Sequence, residues 1–241
     1  MIYTYESRVR YSEIGEDANM TLFSLFNNFQ DCCTFHGEEV GVGLQHNLER
    51  GHGWIIANVQ CRISRMPRFG ERLRIMTWAE GFRGMIAHRN FSMENESGEL
   101  LAEAATDWIF MDLISRKPIR IPEEQVEAYQ LHADKKLNCD PGKRKVRMPE
   151  GGTVEKPFLI QEHHLDTNGH VNNAQYIRMT TPYLPAGFAI HGLRVEYRKQ
   201  AMLGDTIVPR HVETADGAAC YVELADPDGE VYFVGEYTAA V

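Results

Sequence analysis

The sequence predicts an α+β fold built from two successive copies of one plan, in which a helix is followed by an antiparallel meander of strands. Three observations predict it. A strongly apolar helical stripe lies near the N-terminus, strand-like segments separated by turn-forming residues follow it, and the same order of elements returns in the second half. The 241 residues, 43% of them hydrophobic, are enough for two domains that each bury a core.

The first copy begins with a short strand from Tyr3 to Tyr11, followed by a turn that enters a helix. The helix carries its apolar residues at i, i+3, i+4 and i+7 spacing, and Gly37 is its expected stop. The buried stripe is expected to comprise Leu22, Leu25, Phe26, Phe29 and Cys33. Four strands are expected next, at Trp54 to Ile63, Glu71 to Phe82, Met85 to Glu94 and Leu100 to Asp112.

A polar stretch rich in proline and glycine separates the copies and contains a short helical piece from Glu123 to His132. We therefore predict an N-terminal domain at 1–121, an interdomain linker at 122–156 and a C-terminal domain at 157–241. The second copy is expected to hold a helix from about Val171 to Thr180. Its expected strands are Phe158 to His163, His191 to Tyr197, Asp205 to Thr214, Ala218 to Ala225 and Val231 to Ala239.

The two copies align without gaps at two places. Phe69-Gly70-Glu71 corresponds to Leu203-Gly204-Asp205, an apolar-Gly-acid pattern at the turn that opens a long strand. The segment from Glu13 to Leu22 corresponds to His164 to Asn173, which pairs Asp17 with Asn168 and Asn19 with His170. The first copy therefore lacks the reactive side chains of the second.

Composition excludes several classes of protein. The formal net charge of −9 disfavours binding to nucleic acid or to an anionic membrane, and no apolar run is long enough for membrane insertion. Five cysteines without C-x-x-C spacing, and an N-terminus without a secretory signal, favour a reducing, cytoplasmic location. An acidic partner would need a local basic patch. The candidates are Gly142-Lys143-Arg144-Lys145-Val146-Arg147 and the group Arg194, Arg198 and Lys199, although a solvated face explains both equally well.

The most informative stretch is Asp166-Thr167-Asn168-Gly169-His170-Val171-Asn172-Asn173. A turn around Gly169 that leads into helical spacing predicts a loop-to-helix junction, with Asp166 or Asn168 as the cap. The first turn of a helix exposes unpaired backbone N–H groups, and these suit a polarised carbonyl oxygen. We expect the N–H groups from Gly169 to Val171 to bind such an oxygen, and Asn172 and Asn173 to line the same site.

The motif Asp166-x-Asn168-x-His170-Val171-Asn172-Asn173-x-x-Tyr176, followed by Arg194-Val195-Glu196-Tyr197-Arg198-Lys199, resembles the acyl-ACP thioesterases. That family has two tandem hot-dog domains, each a helix wrapped by a curled antiparallel sheet, and it releases free fatty acid to terminate fatty-acid synthesis. The resemblance implies hydrolysis of a fatty acyl-phosphopantetheine thioester on an acyl carrier protein. It also implies an N-terminal domain that binds the acyl chain and a C-terminal domain that carries the catalytic motif.

Thioester hydrolysis needs a polarised oxygen and an activated water or nucleophile, so we expect no metal and no cofactor. Asp166 would act as base or nucleophile, while Asn168 and His170 orient the water and stabilise developing charge.

The chain departs from plant members of the family at the Glu-Cys pair that follows the basic dipeptide, because Gln200 and Ala201 stand there. Gln200 can orient a water but cannot take its proton. Asp166 then carries the base role alone, or Glu196 replaces the missing acid.

Three alternatives stay open. An acyl-CoA thioesterase of the same fold would have the same site, because the site residues do not identify the thiol carrier. A hydratase of this fold would place its histidine five residues after the aspartate, whereas His170 follows Asp166 by four. A non-catalytic acyl-thioester-binding regulator would need a DNA-binding element, and the sequence has no recognisable one. Both a monomer and a homodimer are allowed, since the tandem copies can pair within one chain.

Overall fold

The computed structural model describes residues 1–137 and 145–239 and divides the chain into two compact units. The first contains residues 1–57 and 61–137, and the second contains 58–60 and 145–239. Cys139 and the first three residues of the predicted basic segment, Gly142, Lys143 and Arg144, lie outside the described residues. Within the described residues, no helix has both the length and the apolar composition needed to cross a membrane.

The first unit is organised around helix α1, Leu22–Glu39, which is capped by the Thr21 side chain. The predicted stripe is buried, except that Cys32 and not Cys33 completes it. The prediction that Gly37 ends the helix is wrong. The helix continues to Glu39 and is followed by Gly41, whose φ of +79° is the left-handed conformation that terminates helices.

The antiparallel meander of the first unit wraps this helix. Its strands are β1 Tyr3–Arg8, β2 His52–Ile63, β3 Arg72–Arg83, β4 Ile86–Asn95, β5 Leu100–Asp112 and β6 Lys117–Pro118. Their spatial order is β1-β3-β4-β5-β2, with the two-residue strand β6 on β5. Phe91 on β4 contacts Phe29 of α1 at 5.1 Å between ring centroids, so the sheet and helix share one apolar core.

Two short helices complete the first unit. Helix α2, Leu44–Glu49, was not predicted, and α3, Glu123–Ala128, ends four residues before the predicted His132. The α3 prediction was too long because Gln130 adopts a left-handed φ of 41°, which is incompatible with a continuing helix. The Gln125 side chain of α3 donates to Asn47 of α2 at 2.8 Å.

The second unit repeats the plan around helix α4, Asn173–Thr180, which begins two residues later than predicted. The predicted strand from Phe158 to His163 is mostly wrong, because strand geometry stops at Leu159 and a 3-10 turn forms at Glu162–His164. The strands are β7 Thr153–Val154, β8 Phe158–Leu159, β9 Ile190–Tyr197, β10 Thr206–Glu213, β11 Ala219–Ala225 and β12 Val231–Ala239. The sheet order is β9-β12-β11-β10-β7, with β8 also pairing β10. Two helix-and-sheet units of this kind confirm the tandem hot-dog prediction.

Both units form the same backbone hydrogen bond in the turn before their helix. The carbonyl of Asn19 accepts from Gly15 N–H at 2.9 Å, and the carbonyl of His170 accepts from Asp166 N–H at 2.8 Å. The predicted pairing of Asn19 with His170 is therefore confirmed, and glycine stands in the first copy where the second has Asp166.

The loop that opens the long strand also repeats. Arg68 N–H donates to the Glu71 carboxylate at 2.9 Å, and Met202 N–H donates to the Asp205 carboxylate at 2.9 Å. The acidic residue of the apolar-Gly-acid pattern thus closes its own turn in both copies, which explains why the pattern recurs.

Two glycine substitutions in the second unit are expected to differ in stability. Gly169 has φ +73° and open space at its Cβ position, so Gly169→Ala should lower the free energy of unfolding by only about 1 kcal/mol. Ala18 already holds the corresponding position at φ 59°. A Cβ on Gly152 would collide with the carbonyl oxygen of His211, so Gly152→Ala should cost about 3 kcal/mol. Urea unfolding of both variants measures the difference, and equal losses would contradict it.

Candidate active site

The Asp166 side chain organises its own turn. One carboxylate oxygen, Oδ1, accepts from Asn168 N–H at 2.8 Å and from His170 N–H at 3.4 Å. The Asp166 carbonyl also accepts from Gly169 N–H at 3.1 Å. Such an Asx-type turn fixes the backbone that carries all three candidate catalytic side chains.

The end of the turn is held by neighbouring segments. Val171 N–H donates to the Ala201 carbonyl at 2.9 Å, and Asn172 N–H donates to the His164 carbonyl at 2.9 Å. His170 and Met202 form an isolated antiparallel bridge. The segment around Ala201 therefore lies beside the turn, which brings Gln200 into the same neighbourhood.

These bonds overturn the expectation of unpaired N–H groups from Gly169 to Val171. Gly169 and Val171 donate to carbonyl oxygens, and His170 N–H has the long contact with Asp166. Among the described residues, the N–H of Asn173, the first residue of α4, has no hydrogen-bond partner. The available backbone donor is thus the N–H of Asn173, two residues beyond Val171. Gly169 belongs to the turn and Val171 to the bridge, so neither is part of the helix.

Asn172 is the cap of α4, so the prediction of Asp166 or Asn168 in this role is wrong. The Asn172 side chain accepts from Ala174 N–H at 2.9 Å. The helix starts later than its apolar spacing indicated because Val171 is held in the bridge with Leu165. A polar side chain that seemed free for substrate is therefore occupied in part by its own helix.

The reactive ends of the three candidate catalytic side chains are available. Asp166 and His170 are half-buried and Asn168 is exposed. Within residues 1–137 and 145–239, nothing hydrogen-bonds to Asp166 Oδ2, to the Asn168 side-chain amide or to the His170 imidazole. Gln200 is also exposed. The same described residues contain no group of three or more His, Cys, Asp or Glu that could hold a metal ion.

Two tyrosines take part in the site although sequence reasoning gave them no role. The Tyr176 hydroxyl accepts from Ala201 N–H at 2.8 Å, and the Tyr197 hydroxyl donates to the Asn173 carbonyl at 3.1 Å. Tyr176 was visible in the motif, but its partner is distant in sequence, so spacing could not reveal the bond.

The second predicted basic patch is not a free cationic surface. Arg194 pairs with Glu236, and Lys199 pairs with Asp226 at 3.1 Å and with Glu230 at 2.8 Å. The interpretation as a solvated, charge-balanced face is therefore the better one.

Glu196 has structural partners as well. Its carboxylate accepts from Arg198 at 2.7 Å and from Val146 N–H at 3.2 Å. Its proximity to a cation, and its position on β9, disfavour it as a substitute base.

Comparison with protein families decides the assignment. Residues 1–129 match the sequence model of the acyl-ACP thioesterase N-terminal domain, and residues 149–234 match that of the C-terminal domain. The chain belongs to the acyl-ACP thioesterase family.

Individual relatives are distant in sequence and similar in fold. A chloroplastic palmitoyl-acyl carrier protein thioesterase from Gossypium hirsutum is 27% identical over 224 residues, which cover 83% of this chain and 52% of that protein. The chain spans about half the length of the curated relatives it matches.

Among solved structures, an acyl-ACP thioesterase from Bacteroides thetaiotaomicron superposes with a TM-score of 0.87 at 21% identity, covering 99% of this chain and 98% of that one. A 12:0-ACP thioesterase from Umbellularia californica gives 0.85 at 18% identity, covering 99% and 97%. These superpositions show that the fold is shared.

In this acyl-ACP thioesterase family member, Ala201 holds the Asp166 turn through its backbone alone. It is fully buried, its N–H donates to Tyr176 and its carbonyl accepts from Val171. These bonds to the turn and to Tyr176 need no reactive side chain at this position.

The capping role of Asn172 can be tested by substitution. Asn172→Ala should lower the free energy of unfolding by about 1 kcal/mol, because Ala174 N–H loses its acceptor. Asn172→Ser is the matched control, since serine is an equally good cap, and it should retain wild-type stability. Equal stability of the two variants in urea unfolding would show that Asn172 is not a cap.

Proposed function

We propose that this protein hydrolyses the thioester bond of fatty acyl-ACP and releases free fatty acid. The observation that carries the proposal is the Asp166 turn, in which one carboxylate oxygen is fixed by backbone N–H groups and the other is available. Asn168 and His170 project from the same turn, and within the part of the chain that the structure describes their side chains have no hydrogen-bond partner. Family membership supports the substrate class.

In the proposed reaction, water attacks the thioester carbonyl carbon while Asp166 takes its proton. The carbon–sulfur bond then breaks, and the proton is returned to the leaving thiolate. Direct attack by Asp166 is the variant of this scheme, with water then hydrolysing the acyl-enzyme. His170 and Asn168 orient the water and stabilise charge on the carbonyl oxygen.

Asn173 N–H is the backbone donor that we assign to this oxygen, in place of the occupied amides of Gly169 and Val171. It lies at the first position of α4, where the helix dipole adds partial positive charge. Gln200 is assigned to water orientation only, because an amide cannot take a proton.

We assign the acyl chain to the N-terminal domain at 1–121 and the chemistry to the C-terminal domain at 157–241, joined by the linker at 122–156. The turn of the first copy carries Gly15 and Asn19 where the second carries Asp166 and His170, which supports this division. The first unit also holds an aromatic cluster in which Trp54 lies 4.6 Å from Phe110 between ring centroids.

We propose that a single chain is the functional unit, because both copies lie within it. A cytoplasmic location is part of the proposal. The cysteines Cys32, Cys33 and Cys220 are free thiols, as is usual in a reducing compartment. The plant relatives are named as chloroplastic proteins.

The carrier is tested by thiol release from acyl-ACP and acyl-CoA of equal chain length, measured over a series of lengths. We expect higher kcat/KM for acyl-ACP at the preferred length. Higher kcat/KM for acyl-CoA would assign the protein to the CoA-dependent alternative, and binding of acyl thioesters without thiol release would support a regulator.

The catalytic residues are tested by His170→Asn and Asp166→Asn. Asparagine is the residue that the first copy carries at Asn19, so His170→Asn should fold normally and lower kcat by about a hundredfold or more. Asp166→Asn keeps a side-chain oxygen that can accept the hydrogen bonds of the turn, but it removes the base. The expected loss of kcat is therefore similar or larger. Asn19→Ala is the matched control and should leave turnover unchanged. Wild-type turnover in either site variant would refute the assignment.

A further inference from the structure

Tyr176 forms a buried tie that the proposed reaction does not itself require. It lies in α4 with 2% of its surface exposed, and its hydroxyl accepts from Ala201 N–H at 2.8 Å. Its ring stacks on Phe233 of β12, with centroids 5.7 Å apart and an angle of 4° between planes. The position of Tyr176 in α4 and its stacking on β12 thus fix the ring, and the fixed ring determines where the hydroxyl lies.

Ala201 connects the Tyr176 hydroxyl to the Asp166 turn. Its carbonyl accepts from Val171 N–H at 2.9 Å, and the next residue, Met202, forms the bridge with His170. Gln200 precedes it. One buried peptide therefore connects the Tyr176 hydroxyl on one side with the His170 and Val171 backbone on the other.

The first copy has no such tie. The position of Tyr176 corresponds to Leu25, and that of Ala201 corresponds to Pro67. Pro67 still accepts from Met20 N–H at 2.7 Å, but proline has no N–H that would need an acceptor. The hydroxyl tie therefore occurs in the copy that carries the reactive side chains and is replaced by a leucine and a proline in the other.

We propose that Tyr176 is a positioning residue. Its hydroxyl holds the segment from Gln200 to Met202 against the Asp166 turn, and this places His170 and Gln200 correctly to contact the thioester. The inference rests on the thioesterase function proposed above. It adds a residue that acts through Ala201 and does not touch the substrate.

The physical reason is the burial of the Ala201 N–H. Ala201 is fully buried, so without the hydroxyl its donor would be unsatisfied, and the segment would have to move to recover a hydrogen bond. Burial raises the pKa of Tyr176 by more than the hydrogen bond from Ala201 N–H lowers it, so the hydroxyl stays neutral at physiological pH. Displacements of about 1 Å near a reacting group are enough to reduce turnover strongly.

The first test compares Tyr176→Phe with Tyr237→Phe. Tyr237 is a matched control, because it is equally buried in the same unit and its hydroxyl bonds to Thr180, away from the turn. Tyr176→Phe should lower kcat about ten- to a hundredfold with KM changed by about twofold or less, while Tyr237→Phe should keep kcat within about twofold. Similar melting temperatures are expected, and equal kcat values for the two variants would overturn the proposal.

A second variant removes the same bond from its other side. Replacing Ala201 with lactic acid converts the amide into an ester, which deletes the N–H and leaves Tyr176 untouched. This variant should also lose kcat, because the hydroxyl no longer holds the segment, and combining the two should cause no loss beyond that of Tyr176→Phe. Additive losses would show that Tyr176 acts by another route and would overturn the proposal.

Hydrogen exchange separates this inference from the proposed function. Exchange at the Ala201 amide should accelerate in Tyr176→Phe and stay unchanged in Tyr237→Phe, whether or not the protein is a thioesterase. Unchanged exchange in both would overturn the tie itself. Failure of the wild-type protein to release thiol from any acyl thioester would refute the proposed function while leaving the exchange result standing.

Discussion

The hydrogen bond from Val171 N–H to the Ala201 carbonyl is the constraint on which the site depends. It joins the turn that carries Asp166 to the loop that opens β10, two segments about thirty residues apart in the chain. Because the bond lies immediately before α4, it sets where the helix begins and which residue caps it. The first copy has the corresponding bond from Met20 to Pro67, so this junction belongs to the fold, and the reactive side chains are an addition to it.

Much of the fold could be predicted because its signals are local. Strand β5 and strand β12 have the predicted bounds, since alternating or continuous apolar runs between turn formers mark them clearly. Helix ends were harder. Gly37 looked like a stop, yet its own position is crowded, with a Cβ there lying 3.2 Å from the Tyr129 hydroxyl. A glycine required for close packing and one required for a left-handed turn look the same in sequence.

The candidate site residues could be selected from the sequence, whereas their hydrogen-bond geometry could not be predicted from it. Asp166, Asn168 and His170 could be chosen from residue type and spacing, and the structure places them on one hydrogen-bonded turn. The donors for the carbonyl oxygen could not be chosen, because the partners of Gly169 and Val171 depend on where the chain folds back. Tyr176 was missed for the same reason, since its partner lies in a segment that only tertiary structure brings near.

We propose that the turn of the second copy contacts the thioester and that the turn of the first copy does not. The most direct measurement is backbone NMR on the protein with an acyl-ACP whose thioester is replaced by a non-hydrolysable amide. We predict larger shift changes at the amides from Asp166 to Asn173 than in the corresponding segment from Gly15 to Leu22. Changes confined to the first-copy segment, or absent from the second, would contradict this account.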